Sequence, residues 1–290
     1  MAAASKRSSA PTTGLRRGGN EKFYTRDAIA KQCVADLVKV VTIDPDKDLL
    51  LEPSAGSGAF LPHLEQLANC LIALDIQPES NDVLRQDFLA WDGAKLRLPH
   101  GGRIITVGNP PFGRQASLAF RFIKHAATFS EYIAFILPRS FMKPSMQARV
   151  PLEFHLVHQR ELDLNAFTID DRPHYVPCVF QIWQRHAQLR PRAVLQAPTR
   201  FTFTTRESPH HFALRRVGVN AGTITPYPRS VECSTQTHYF IRLLQTRQVP
   251  DSIARLQRCE FEESQNTVGI KSISKREVVG HYDTILGGLT

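Results

Sequence analysis

No apolar run in the sequence approaches the roughly 20 residues that a bilayer-spanning helix needs, which argues against a membrane span. Cysteines are few and scattered: Cys33, Cys70, Cys178, Cys233 and Cys259 are odd in number and include no Cys-x-x-Cys pair, so neither a disulfide framework nor a zinc site is expected. Reduced thiols, an intracellular setting and no metal are the expectation, with cytoplasm and nucleus not distinguished. Acidic residues are also short, 27 Asp and Glu against 36 Lys and Arg, for a formal charge of +9. A polyanion is the natural partner of such a chain. Two glycine fingerprints are missing as well. There is no G-x-G-x-x-G loop and no Gly-Lys-Ser/Thr ending, which disfavours dinucleotides and nucleoside triphosphates.

Residues 1–20 carry Lys6, Arg7, Arg16 and Arg17, no acid, and no apolar segment of a signal peptide. They read as a disordered basic arm. A targeting address, a phosphate-contacting tail and plain solvated chain all stay open.

From Thr25 onward the pattern becomes regular. Ile29, Cys33, Val34, Leu37, Val38 and Val41 recur at helical spacing, with Thr25 placed to cap the helix. Leu49-Leu50-Leu51 predicts a strand that stops at Glu52-Pro53-Ser54-Ala55-Gly56-Ser57-Gly58, followed by a helical pattern from Phe60 to Ala68. Further strands are expected at Cys70 to Ile76, around Val83-Leu84, at Ile104 to Val107, Glu131 to Leu137, Leu156 to Leu164 and Val176 to Trp183, with a helix over Ser117 to Ala127. Strands alternating with helices predict an α/β doubly wound sheet. Beyond Arg185, prolines cluster and short alternating segments such as Phe201 to Thr205 and Tyr239 to Leu243 suggest a β-rich or α+β extension. A boundary is expected near residue 187, giving a domain over 21–187 and a smaller region over 188–290.

In open α/β sheets, residues at the carboxyl ends of successive strands converge in space. Here those ends carry Gly56 and Gly58, Asp75, Asp87 and Asn109. A glycine loop lets backbone approach a ligand closely. An acid about 20 residues beyond it is suited to accept hydrogen bonds from the two ribose hydroxyls of an adenosine moiety. The fourth end, Asn109-Pro110-Pro111-Phe112, offers two carbonyls on a backbone stiffened by proline. An aromatic amine is a poor nucleophile because its lone pair is delocalised. Two rigid acceptors, the Asn109 side chain and the Pro110 carbonyl, would draw its hydrogens and favour tetrahedral geometry.

Glu52-Pro53-Ser54-Ala55-Gly56-Ser57-Gly58-Ala59-Phe60, together with Asn109-Pro110-Pro111-Phe112 and the upstream Phe23-Tyr24-Thr25, resembles the gamma-order amino-methyltransferases typified by adenine-N6 DNA methyltransferases. The resemblance covers roughly residues 21–185. It implies a Rossmann-like methyltransferase sheet and S-adenosyl-L-methionine as cofactor. It also implies that Thr25 and the loop around Glu52, Ala55 and Gly56 hold the methionine part, with Tyr24 in the segment that helps seat it, that Asp75 holds the ribose and Asp87 with Phe88 the adenine, and that Ser54, Gly58 and Ile76 are further cofactor-binding residues. Phe112 would stack on a target base that has left its helix, and Phe167 stands where such enzymes often carry a second aromatic for that base.

The region 188–290 holds fourteen Lys and Arg against eight Asp and Glu, with Phe201, Phe203, Tyr227 and Tyr239 among them. That mixture suits a surface that neutralises phosphates and stacks bases. Arg215 and Arg216 are its candidate contacts. Transfer to adenine in nucleic acid, DNA ahead of RNA, is the expected activity. The alternatives are a protein glutamine-amide methyltransferase, whose loop is similar but ends in Tyr, and a non-catalytic nucleic-acid-binding protein on the same scaffold. Oligomeric state is not legible.

Overall fold

The computed structural model describes residues 24–163, 165–169, 172–192, 196–245, 247–266 and 270–288. The basic arm expected over 1–20 and Phe23 of the aromatic-Tyr-Thr segment lie outside the described residues. The described chain opens with β1 (Tyr24–Thr25) and α1 (Asp27–Val40). Ile29, Ala30, Cys33, Val34 and Leu37 form the buried face of α1 that the spacing predicts. Thr25 does not cap it. Arg26 holds the cap position without a side-chain bond, because Thr25 is drawn into a ladder opposite Phe167 and its hydroxyl is engaged elsewhere.

The chain continues through β2 (Leu49–Glu52), α2 (Leu61–Leu64), β3 (Cys70–Asp75) and β4 (Leu84–Arg85). α2 is one turn long where the apolar spacing predicts a helix to Ala68. The chain turns away after it, and the Asn69 N–H bonds to the Pro45 carbonyl at 3.0 Å. Next come β5 (Ile104–Gly108), α3 (Ser117–Ala126), β6 (Tyr132–Pro138), α4 (Pro144–Gln147), β7 (Phe154–Glu161), β8 (Phe167–Ile169), β9 (Arg172–His174) and β10 (Cys178–Arg185). β10 starts at Cys178 rather than Val176. Pro177 has no N–H to give a ladder, and its carbonyl accepts from the Arg139 N–H at 2.9 Å instead.

Seven strands form one sheet in the order β4-β3-β2-β5-β6-β10-β7, while β1, β8 and β9 form a small sheet beside it. β4 through β6 pair in parallel, and β10 runs antiparallel between β6 and β7. From β2 the chain winds outward to β4, then returns to add β5 and β6 on the other side. α1 and α2 pack on one face with Leu50, Ile105, Ala134 and Phe180. α3 packs on the other with Leu51, Ile133, Phe135 and Trp183. The result is a doubly wound, Rossmann-like α/β sheet. The near-continuous apolar runs Leu49–Leu51 and Tyr132–Leu137 follow from burial on both faces.

The remaining strands, β11 (Phe201–Thr204), β12 (Phe212–Arg215), β13 (Ile224–Pro226) and β14 (His238–Leu243), make an antiparallel sheet in the order β11-β14-β12-β13. α5 (Val249–Leu256) and α6 (Lys275–Gly287) supply Leu256, Val278, Tyr282 and Leu286 to a separate core with Phe201, Phe212, Leu214, Ile241 and Leu243. The extension is therefore α+β. A capping box starts α6: Ser274 Oγ accepts from the Glu277 N–H at 3.2 Å, and the Glu277 carboxyl accepts from the Ser274 N–H. Among the described residues no helix is long and apolar enough to cross a membrane.

Candidate active site

Parallel strands bring the ends of β2, β3 and β5 to one edge of the sheet. β2 delivers Glu52 and then the loop Pro53 to Gly58. Gly56 has φ +55°, a left-handed conformation open to glycine, and a Cβ there would face Tyr24 Cε1 at 3.9 Å. The Asp75 carboxylate, at the end of β3, organises this loop by accepting from the Gly56 N–H at 2.8 Å and the Gln77 N–H at 2.7 Å. Ile76 follows it with 61% of its surface exposed, an apolar side chain left bare beside a carboxylate. Tyr24 closes over the loop from β1. Its hydroxyl donates to Glu79 Oε1 at 2.6 Å, while the Glu79 N–H reaches the Gly56 carbonyl at 3.2 Å.

β5 ends at Gly108, where a Cβ would lie only 3.2 Å from Glu52 Cγ, so glycine is what allows Glu52 and the Asn109 backbone to sit side by side. Ser54 Oγ donates to the Asn109 carbonyl at 3.0 Å, tying the glycine loop to the tetrapeptide. The Asn109 side chain donates Nδ2–H to Thr25 Oγ1 at 3.2 Å. Its other end, Oδ1, is shielded from solvent and has no hydrogen-bond partner among the described residues. Pro110 is buried, Pro111 exposed, and Phe112 half-buried against the core on the α1 face. Immediately downstream, Gln115 and Ala116 hold left-handed conformations at φ 52° and 59°. Such strain collects at functional sites.

Glu52 is the second unpaired acceptor. It is buried, Oε2 has no partner among the described residues, and burial, reinforced by the negative charge of Asp75, pushes its carboxyl well above the usual range. A buried carboxylate without a cation is costly, so the free site favours the protonated carboxyl, and a positively charged group entering beside it would favour loss of that proton and an ion pair. Among the described residues no group of three or more His, Cys, Asp and Glu is placed to hold a metal ion.

Tyr24, Thr25, Glu52, Ser54, Gly56, Asp75 and Asn109 thus form one linked constellation. Asp87 stands nearby, beyond β4, where its Oδ1 accepts from the Leu89 N–H at 2.9 Å and caps a short 3-10 turn. Ala55 and Gly58 shape the loop, the Gly58 N–H reaching the Ala55 carbonyl at 2.7 Å. Phe88 and Phe167 are corrections. The Phe88 ring is 1% exposed and packs against Phe122, His125 and Phe129, so no face of it is open to a ligand. Phe167 is fully buried in the core on the α1 face, under the β1–β8 ladder, and cannot stack on a base.

Arg215 and Arg216 do not act as a pair. Successive residues leaving a strand point to opposite sides. Arg215 Nε donates to the Val217 carbonyl, whereas Arg216 lies over Tyr239 and donates to the Gln236 carbonyl at 2.7 Å. Two residues at the site escaped the sequence reading. Glu79 carries no motif, but Arg139 follows β6 directly and the strand-end rule could have found it. Its guanidinium pairs with Glu161 at 3.1 Å, at the end of β7, and its Nε is buried without a partner among the described residues.

No protein-family model matches the chain, and no curated protein matches it. Among solved structures it is similar to a Pyrococcus horikoshii protein described as an RNA methyltransferase, at 15% identity and a TM-score of 0.40, over 55% of this chain and 82% of that one. It is also similar to TrmN from Thermus thermophilus, at 17% identity and a TM-score of 0.37, over 56% of this chain and 52% of that one. A third is the N-methyltransferase NodS from Bradyrhizobium japonicum, at 11% identity and a TM-score of 0.38, over 55% of this chain and 97% of that one.

Proposed function

We propose that the chain is an S-adenosyl-L-methionine-dependent methyltransferase acting on the exocyclic amine of adenine in nucleic acid, with DNA ahead of RNA. The observation that carries this reading is the Asn109 amide, whose nitrogen donates to Thr25 while its oxygen is buried and, among the described residues, unpaired. A buried acceptor held in one orientation is what an amine donor needs, and leaving it unmatched in the free chain has a cost that a ligand can repay.

The residues present fit the cofactor. Glu52 offers an uncompensated buried carboxyl to an ammonium group, the Gly56 backbone allows close approach, Asp75 is an acceptor for ribose hydroxyls, and exposed Ile76 is an apolar wall for an adenine ring. When bound, the cofactor supplies an electrophilic methyl group on a sulfonium. The chain supplies the rest. Asn109 Oδ1 and the Pro110 carbonyl would accept hydrogen bonds from the two N–H groups of the target amine, turning its lone pair toward the methyl; as the N–C bond formed the S–C bond would break to a neutral thioether, and one amine proton would pass to water. Phe112, half-buried on one side, stacks on the base with the other. Asp87 stands by the cofactor's adenine side. We assign transfer to residues 21–187 and substrate recognition to residues 188–290, where the positive charge is concentrated.

The test is labelled-methyl transfer onto DNA, RNA and a protein mixture in parallel, followed by digestion and mass analysis of the nucleosides. N6-methyladenosine or its deoxy form is the expected product. Label confined to glutamine in protein would replace the reading with an amide methyltransferase, and no label in any arm would end it.

A further inference from the structure

The segment that leads into α6 pairs with the segment that leaves β12. Val217 and Ser272 form an antiparallel bridge, the Gly218 N–H reaches the Lys271 carbonyl at 3.0 Å, and the Ile273 N–H reaches the Arg216 carbonyl at 2.8 Å. This register sets Val219 opposite Ile270 at the tip of the ribbon, where the two aliphatic side chains are 85% and 65% exposed. The same two segments carry Lys271, next to Ile270, and half-buried Arg216, opposite Ile273, and α6 opens with Lys275 and Arg276; the two lysines and Arg276 are exposed. Among the described residues none of these four cations is ion-paired. The charged heads of Arg216 and Lys275 stand over aromatic rings, the Arg216 Cζ at 5.4 Å from the Tyr239 ring centre and the Lys275 Nζ at 4.8 Å from that of Phe203, which restrains both cations.

Two features set this ridge apart from ordinary solvated lysines. Lys275 and Arg276 occupy the first turn of α6, where the helix dipole disfavours cations. The ridge is also held against the catalytic sheet. Lys143, only 7% exposed, follows the turn that leaves the carboxyl end of β6, and its Nζ donates to the Ser272 carbonyl at 2.9 Å and to Ser272 Oγ at 3.2 Å. The same β6 end carries Arg139, one strand from Asn109. Lys143 thereby ties the ribbon to the edge of the sheet where the candidate site lies.

We propose that the ridge formed by Arg216, Lys271, Lys275 and Arg276, with Val219 and Ile270 at its tip, is the track on which a nucleic-acid strand lies as it enters the site, phosphates on the cations and sugar or base edges on the aliphatic pair. This deepens the function proposed above and rests on it for the fate of the strand, but not for its binding.

The experiment is the salt dependence of binding of a fluorescently labelled single-stranded oligonucleotide, with RNA, DNA and duplex arms, measured by anisotropy. Each phosphate contact removed lowers the slope of log affinity against log salt by roughly 0.7 for a single strand. Lys271→Gln/Lys275→Gln should therefore lower it by about 1.4, Lys271→Arg/Lys275→Arg should restore it, and Arg255→Gln/Arg258→Gln, on and just after α5, should leave it unchanged. A thermal midpoint near that of the parent protein shows that the variants are folded. An unchanged slope in the Lys271/Lys275 variant, or no oligonucleotide binding by the parent protein, overturns the ridge. Methyl transfer to nucleic acid with an unchanged slope would sink the ridge alone, and a ridge-dependent slope without transfer would sink the methyltransferase reading alone.

Discussion

Asn109 donates its amide hydrogen to Thr25 Oγ1, and that one bond decides which end of the side chain is left for a ligand. Thr25 can hold this place because β1 pairs with β8, which lifts the residue out of the helix it was expected to cap. Thr25→Val removes the acceptor while keeping the shape. It should cost about 1 kcal/mol of stability and lower turnover more than cofactor affinity, because the amide is then free to rotate. Thr25→Ser should behave like the parent. Equal turnover by the Val variant would remove Thr25 from the orienting role.

Glu52 makes the unliganded protein pH-dependent in a definite direction. Burial and the Asp75 charge raise its carboxyl in the folded state, so the folded chain binds a proton more tightly than the unfolded one. Its contribution is undiminished below the unfolded value of about 4.3 and declines as pH rises from there toward the raised folded value. Glu52→Gln abolishes that decline. Chemical denaturation from about pH 4 to about pH 8 should show the variant gaining on the parent as pH increases. The same variant should bind the cofactor more weakly, since a neutral amide offers no charge to an ammonium. Parallel pH curves for the two proteins would refute the buried, unpaired carboxyl.

Asp75 both shapes the glycine loop and stands ready for a ribose. Asp75→Asn keeps its size but trades one acceptor oxygen for a donor, which meets the Gly56 or Gln77 N–H head-on. Losing a charged acceptor is worth about 1.5–3 kcal/mol, so cofactor affinity should fall by roughly ten- to a hundredfold. Calorimetric titration with S-adenosylhomocysteine reads this directly, and affinity within twofold of the parent would dissociate Asp75 from the ligand.

Phe167 distinguishes a core residue from a stacking one. Being fully buried, it should cost about 3–5 kcal/mol as Phe167→Ala, seen as a lowered denaturation midpoint. Phe167→Leu should fold and turn over normally. Loss of turnover in a stably folded Leu variant would return the ring to the substrate.

The sheet was legible because strands buried on both faces leave unmistakable apolar runs, as at Leu49–Leu51 and Tyr132–Leu137. The convergence of the candidate residues was legible where a strand end meets a residue with few other uses, as Asn109 before two prolines and Asp75 after an apolar strand. Phe88 and Phe167 were misplaced for one reason: an aromatic next to a motif looks the same whether its ring turns outward or into the core, and only packing decides. Arg215 and Arg216 show the same limit, since adjacency in sequence becomes opposition across a strand. Glu79 was out of reach because its partner Tyr24 lies 55 positions away.

In the proposed mechanism the Asn109 oxygen acts on the substrate amine and not on the cofactor. Asn109→Ala, assayed side by side for S-adenosylhomocysteine affinity and for labelled-methyl transfer to nucleic acid, separates the two. Affinity should stay within a few-fold of the parent and transfer should fall by about a hundredfold or more, the usual loss when a transition-state hydrogen bond is removed. Transfer at the parent rate, or loss of cofactor affinity alone, would contradict that mechanism.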